Sequence, residues 1–322
     1  MNSLFRNRIT FVLAVILIAA MVFCVAGCGK SQKTVKISGA YALYPMMSIW
    51  VAEYNKSHPE IKFEVSGGGA GKGMADALAG LVDIGMVSRE IKKEETDQGA
   101  IWIAVVKDAV VVTMNAGNPV YDKIAAKGIT HDQFLKIFIT RELKTWGDLV
   151  GDPTITDQIK VYTRADSCGA AETWAKYLGK YTQEDLTKAA DAGIMNDPDL
   201  AAAVKNDKFG IGYNNINFAY DIKTQKPIEG IRVAPIDING NGTLEPGENF
   251  YGNMGDLLKA IADNVYPSPP ARDLNIVAKG EFKGEVKEFA KWILTDGQKM
   301  VSESGYIPLP QAKIDEGLAK LK

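Results

Sequence analysis

The sequence predicts an α/β protein built on mainly parallel sheets and large enough for two lobes. Short β-branched runs alternate with apolar residues at helical spacing along most of the chain. Strands interleaved with helices favour a parallel sheet. The 322 residues exceed the roughly 250–300 at which a single core stops growing. No long Ser- or Pro-rich linker appears, so short crossings are expected to join the lobes.

Val35 to Gly39 reads as a strand entering a turn, and Pro45 suits the first turn of a helix running to Asn55. Ile61 to Val65 alternates as a strand and runs into a glycine-rich stretch, Ser66 to Gly73. Met74 to Leu81 then reads as helix, Asp83 to Val87 as a third strand, and Ala109 to Met114 as a long β-branched one. Farther on, Ile129 to Phe138 and Ala170 to Leu178 read as helices. Lys160 to Thr163, Phe209 to Tyr213 and Leu274 to Ala278 read as strands. Val286, Phe289, Ala290 and Ile293 share one helical face, which Gly297 interrupts.

Composition narrows the chemistry. At 46% hydrophobic and 24% charged residues, the chain is neither collagen-like nor wholly disordered. A net charge of -2 gives no general attraction to nucleic acid. With Cys24 and Cys28 in the leader, only Cys168, His58 and His131 remain. A structural zinc site wants about four such ligands. A nucleophilic centre would have to recruit one of two histidines. His58 reads as a surface loop before Pro59 and His131 as the first turn of a solvated helix. Cys168 reads as a packed thiol. No enzyme is expected.

Arg6 and Arg8 precede an uncharged apolar run, Ile9 to Phe23, which ends in Val25-Ala26-Gly27-Cys28. That ending resembles a bacterial lipobox, which implies a signal peptide over 1–27, cleavage before Cys28 and lipid on its thiol. The alternative is an uncleaved membrane anchor, since Ile9 to Gly27 is nearly long enough to span. Both readings export the folded part. Lipidation would hold it on the outer face of the cytoplasmic membrane or in the periplasm. Only Cys168 then remains unmodified, so no internal disulfide is expected.

Three places share one design, a strand, a loop of small residues and a helix: Ser38 to Pro45, Ser66 to Met74, and Arg164 to Ala170. Such loops point main-chain N–H groups outward, and each helix adds its positive end, so together they can cradle an anion. Read singly, each is a tight turn. The glycine loop is no nucleotide motif, because position 66 is Ser and position 73 is Gly where a Walker-type loop needs Gly and Ser/Thr.

Several segments, in order, resemble the phosphate-type substrate-binding lipoproteins of ABC importers. They are Tyr44-Pro45, Val65-Ser66-Gly67-Gly68-Gly69-Ala70-Gly71, Val82-Asp83-Ile84-Gly85-Met86 and Phe134-Leu135-Lys136-Ile137-Phe138. Thr145-Trp146-Gly147-Asp148-Leu149, Gly210-Ile211-Gly212-Tyr213, Gly297-Gln298-Lys299-Met300-Val301 and Gly305-Tyr306-Ile307-Pro308-Leu309 complete the set. The resemblance implies a type II periplasmic-binding-protein fold, in which two α/β lobes joined by two strand crossings close on ligand. It places a tether at 28–34, lobe 1 at 35–114 and 266–322, and lobe 2 at 115–265. The chain would leave lobe 1 near Met114 and return near Tyr266-Pro267. The ligand would be phosphate or a related oxyanion, the partner an ABC permease, and the protein a monomer. The implied ligand residues are Ala42, Leu43, Gly69, Ala70, Ser88, Arg164, Asp166, Cys168, Gly169 and Ala170. Arg89 is expected in a structural ion pair, and Asp166 either orients Arg164 or caps the helix near Ala170.

The ligand loops depart from the family's pattern. The first usually offers Ser/Thr hydroxyls; here it is Ala40-Tyr41-Ala42-Leu43. The second usually has Ser where Ala70 stands. The third usually reads Arg-x-Asp-Gly-Ser-Gly-Thr; here it is Arg164-Ala165-Asp166-Ser167-Cys168-Gly169-Ala170. Hydrogen bonds to a charged partner contribute about 1.5–3 kcal/mol each. Three lost without compensation remove about 4–9 kcal/mol, against about 8 for a micromolar complex. Main-chain N–H groups with Ser38, Ser66, Ser88, Ser167, Tyr41, Arg164 and Lys72 compensate, or the ligand is a larger, partly organic anion. A third reading is an anion-sensing or surface-interaction paralogue that has lost tight phosphate binding.

Asp237 to Glu248 match a calcium loop. Asp237, Asn239 and Asn241 supply oxygens at positions one, three and five, and Gly242 turns the chain. Thr243 offers its carbonyl, Glu245 acts through water, and Glu248 closes the loop. Its flanks are not those of an EF-hand, and the alternative to calcium is an Asn-Gly-rich surface turn. Calcium here would stiffen the loop.

Overall fold

The computed structural model describes residues 33–322; the leader and Cys28 lie outside the described residues. Among these residues no helix is long and apolar enough to cross a membrane. The strands are β1 (Lys33–Gly39), β2 (Ile61–Gly67), β3 (Ile84–Val87), β4 (Ala100–Asn115), β5 (Ile129–Thr130), β6 (Lys160–Arg164), β7 (Ala192–Ile194), β8 (Gly210–Asn215), β9 (Ile231–Val233), β10 (Ile236–Asp237) and β11 (Ala271–Lys279). One sheet runs β2-β1-β3-β11-β4-β8-β6-β7, with β9 also paired to β4. β1 is parallel to β2 and β3, and β6 to β7 and β8. The long strands β4 and β11 are antiparallel to each other and to β8 and β3 respectively.

Two apolar cores flank this crossing and make the fold two-lobed. One packs Val35, Trp50, Met74, Ile103, Val106, Leu274, Phe289 and Tyr306. The other packs Ala109, Val111, Phe134, Trp146, Trp174, Tyr213, Leu257 and Ala271. The chain therefore passes between lobes inside β4 and β11. β4 enters one core up to Val106 and the other from Ala109, well before Met114, because its β-branched run continues unbroken through the crossing. The return falls between Ala271 and Leu274, beyond Tyr266-Pro267.

Two helix boundaries differ from the sequence expectation. The second helix spans Ala70–Ala79, so it takes in half of the glycine run. A Cβ on Gly73 would lie 2.4 Å from the Met86 carbonyl oxygen. Glycine is needed there because the helix backbone lies directly on β3. The stretch from Ile129 divides into β5 and a helix, His131–Phe138. Thr130 Oγ1 accepts the Gln133 N–H at 3.2 Å and Gln133 Oε1 accepts the Thr130 N–H at 3.0 Å. That reciprocal cap starts the helix two residues late.

Where the chain crosses, buried charge ties the strands together. Arg272 on β11 donates from Nε to Asp108 on β4 at 2.9 Å, and from Nη1 to Thr173 Oγ1 at 3.0 Å. It also donates to Asn215 Oδ1 at the end of β8. Burial pushes the Asp108 carboxyl up, and Arg272 opposes that shift. Removing one partner strands the other in a dry site. Arg272→Ala should therefore lower the unfolding free energy by about 3–5 kcal/mol in urea titration; a loss within the range of an exposed ion pair would mean that the crossing does not depend on this pair.

Candidate functional site

β1 ends at Gly39, and the turn Ala40 to Leu43 leads into the helix Tyr44–Tyr54, which carries Pro45 in its first turn. The Ala40 N–H donates to Met86 O at 2.9 Å, and the Leu43 and Tyr44 N–H groups turn back to Ala40 O. Tyr306 Oη donates to Ala42 O at 2.7 Å. Leu43 thus has no amide left for a ligand, and both Ala42 and Leu43 are buried. In the second loop the Gly69 N–H donates to Gly39 O at 3.1 Å, which fastens it to the first.

The third loop comes from the other lobe and meets these two. The Gly71 N–H donates to Ser167 O across the cleft at 3.3 Å. Gly169 begins the helix Gly169–Leu178 against Ser88, where a Cβ would lie 2.3 Å from the Ser88 carbonyl oxygen. The Arg164 guanidinium stands 5.8 Å from the Tyr41 ring centroid. The three helix starts therefore face one cleft. Among the described residues the N–H groups of Ala42, Ala70, Gly169 and Ala170 have no acceptor. Each belongs to a small-residue turn or the first turn of a helix, where donors are left over.

Arg164 is completely buried at the end of β6. Its Nε and Nη2 donate to the two oxygens of Asp166 at 2.7 and 2.5 Å, and Nη1 donates to Asp197 at 2.5 Å. Asp166 thus orients the arginine and does not cap the helix. The cap is Cys168, whose Sγ accepts the Ala171 N–H at 3.3 Å. Burial works against the Arg164 charge, but the neighbouring acids outweigh it and hold it above the ordinary guanidinium value. Two of its five N–H bonds remain free to donate.

Asp197 was not legible as a site residue. Asn196-Asp197-Pro198 reads as a helix start, and it is one, with Asn196 as the cap. Asp197 also accepts from Asn215 Nδ2 at 2.7 Å, and Asn215 receives Arg272. The site arginine is thereby linked to the lobe crossing through Asp197, Asn215, Arg272 and Asp108. Arg89 pairs with Glu95 at 2.6 Å and lies 3.1 Å from Glu172, which agrees with a structural role.

The PBP superfamily domain matches residues 25–297. The chain belongs to the PBP superfamily. It is 25% identical to a phosphate-binding protein PstS of Methanocaldococcus jannaschii, over 92% of this chain and 91% of that one. It is also 25% identical to the PstS of Bacillus subtilis, over 96% of each. A crystal structure of a putative phosphate ABC transporter substrate-binding protein with bound phosphate, from Clostridium perfringens, superposes with a TM-score of 0.69. That match has 22% identity and covers 86% of this chain and all of the other. The match confirms the two-lobe PBP architecture.

The Asp237–Glu248 segment begins at the end of β10 and runs on as an exposed loop. Asp237 and Glu248 are buried while the residues between them are mostly exposed. Asp237 accepts the N–H groups of Gly240 and Gly242 at 2.8 and 2.7 Å, and Glu248 accepts those of Ile238 and Asn239 at 3.1 Å. Asn241 Nδ2 donates to Glu245 at 3.0 Å. Among the described residues no group of three or more His, Cys, Asp or Glu side chains gathers as a metal cluster. Any ion here would draw on Asn and main-chain oxygens beside the carboxylates, as calcium can and zinc does not.

Burial pushes the Cys168 thiol up to about 12. It is neutral at physiological pH and unsuited to nucleophilic attack. Native protein treated with iodoacetamide at pH 8 should leave Cys168 unmodified by peptide mass spectrometry, and unfolding in guanidinium should expose it to complete labelling.

Proposed function

We propose that this chain is the extracytoplasmic substrate-binding component of an ABC importer and captures phosphate or a related oxyanion between its lobes. The reading rests on four free main-chain N–H groups at facing helix starts beside a buried, protonated Arg164. Backbone donors replace the hydroxyls that Ala40 to Leu43, Ala70, Cys168 and Ala170 lack. They are fixed before the ligand arrives, so they cost little ordering, and each contributes about 1.5–3 kcal/mol to an anion. The PstS relatives carry phosphate in their names, and the Clostridium protein carries it in its crystal. The site holds ligand without breaking bonds, and a permease receives it. Lipid on Cys28 would keep the monomer at the membrane surface.

One observation favours the second reading, an anion-sensing or surface-interaction paralogue. Arg164 is opposed by two carboxylates, so the side chains around it carry a net negative charge. Calorimetric titration with phosphate, sulfate, molybdate, tungstate and methylphosphonate separates the two. Phosphate capture predicts a one-to-one complex at micromolar concentration or tighter. Gly169→Val should abolish it, because its side chain would drive Ser88 out of place. If none of the five oxyanions binds, the importer reading fails and the paralogue reading stands.

The Asp237–Glu248 loop is proposed to take calcium as a structural ion, through Asp237, Asn239, Asn241, Thr243, Glu245 and Glu248. Two buried carboxylates aligned on one tight loop support this. An ion bound only by the folded state at a hundred times its dissociation constant stabilises by about 2.7 kcal/mol. Millimolar calcium should raise the melting temperature of the native chain and leave that of Asp237→Ala unchanged. An equal response from both proteins would discard the site.

A further inference from the structure

Gln183 is the first residue of the helix Gln183–Ala189, in the lobe that carries Arg164. Its main chain is fixed there independently of the ligand loops. The Thr182 N–H donates to Asp185 Oδ2 at 2.9 Å and the Asp185 N–H to Thr182 Oγ1 at 3.4 Å, a reciprocal cap. Leu186 buries its side chain in that lobe's core. From this base the Gln183 side chain reaches the third loop, Arg164 to Ala170, with both ends of its amide. Oε1 accepts the Cys168 N–H at 3.1 Å. Nε2 donates to Asp166 O at 2.6 Å and to Arg164 O at 3.3 Å. The amide has one workable orientation, because its oxygen must face an N–H and its nitrogen two carbonyls.

Within its own lobe the loop has little else to hold its middle. Ala165 and Ser167 are exposed, so their side chains add no packing. The Ala165 N–H is tied to Ile194 O at 2.9 Å, and Asp166 Oδ1 accepts the Asn196 N–H at 3.2 Å. Among the described residues Asp166 O and the Cys168 N–H find their partner in Gln183 alone.

These bonds set the aim of the anion donors. Cys168 caps the helix Gly169–Leu178, and its carbonyl accepts the Glu172 N–H at 3.2 Å inside that helix. The Gly169 N–H shares a planar peptide with this carbonyl and points the opposite way, out of the helix start. With its N–H held by Gln183 and its carbonyl by Glu172, Cys168 is fixed on both sides, and the Gly169 and Ala170 N–H groups are directed with it. Two residues earlier the same amide holds the main chain of Asp166, whose carboxylate grips Arg164.

We infer that Gln183 is a positioning residue of the anion site, which holds the third loop in the shape that turns the Gly169 and Ala170 N–H groups and the Asp166–Arg164 fork into the cleft. It acts through the loop rather than on the ligand. The inference rests on the oxyanion reading of that site.

The test pairs calorimetric titration of the full-length protein in detergent with inorganic phosphate, and amide hydrogen exchange of the ligand-free protein read by mass spectrometry. Gln183→Ala should weaken phosphate binding by about tenfold. It should speed exchange in peptides covering residues 164–170 by a similar factor and leave β8 as in wild type. Melting curves confirm that the variants fold. Gln183→Glu separates aim from bulk. Its carboxylate still accepts the Cys168 N–H but turns a lone pair toward Asp166 O, and once protonated it donates there again. Beside Asp166 and two carbonyls the introduced carboxyl titrates above the usual glutamate value. Relative to wild type at the same pH, this variant should bind phosphate weakly at about pH 8 and recover at about pH 5. A residue that only fills space gives no such profile. The inference is overturned if Gln183→Ala binds phosphate as wild type does, if exchange over 164–170 is unchanged, or if the ratio of Gln183→Glu to wild type stays flat with pH. If wild type binds no phosphate, that failure counts against the oxyanion reading alone, and exchange over 164–170 still decides whether Gln183 holds the loop.

Discussion

Arg164 cannot be buried without its partners, and much of the cleft is arranged around that constraint. Moving a guanidinium out of water costs several kcal/mol even after relaxation. Asp166 meets it from two residues away with a bidentate fork, and Asp197 closes the third direction. Asp197 is itself held by Asn215, and Asn215 by Arg272, which is anchored on Asp108. The chain of pairs joins the tip of β6 to the two strands that cross between lobes. The third ligand loop therefore has one stable position relative to the crossing. Rigid donors of that kind suit an anion better than mobile ones, since little ordering remains when the ligand arrives.

The same constraint changes how charge is supplied. One cation set against two carboxylates does not by itself attract an oxyanion. In the proposed site the attraction comes from the helix starts, whose partial charges and free N–H groups point into the cleft. This fits the loss of hydroxyls at Ala70, Cys168 and Ala170, because main-chain donors do not depend on side-chain identity. What they do require is small residues, so that two backbones can approach. Gly169 against Ser88 and Gly71 against Ser167 show that approach directly.

Periodicity in the sequence shows the strands at the cleft and the helices that follow them, because both respond to local pattern. The loops could be placed from their small residues, and Arg164 and Asp166 from the resemblance of their loop to the family's. The charge network could not. Asp197 lies 33 residues from Arg164 and Arg272 lies 164 from Asp108, so only the folded topology brings them together. The glycine run misleads for a related reason. Gly73 looks like loop because glycine is a poor helix former, yet it sits inside a helix where contact with β3 leaves no room for a Cβ. The crossing in β4 was set too late because a strand that passes through two cores carries no break in its pattern.

Closure of the cleft draws on contacts that need no ligand. The Gly71 N–H reaches Ser167 O, Tyr41 faces Arg164, Lys176 pairs with Glu90, and Arg89 approaches Glu172. The Lys176–Glu90 pair is half exposed or more on both sides, and such a pair contributes at most about 1 kcal/mol. The hinge motion that such two-lobe folds allow would set this closed form against an open one. A ligand shifts such an equilibrium only by its difference in affinity for the two forms. In the proposed site, donors divided between lobes provide that difference, because Ala42 and Ala70 lie on one side of the cleft and Gly169 and Ala170 on the other. An anion that satisfies both pairs at once does so only when the lobes are together, and this division makes capture and closure one event.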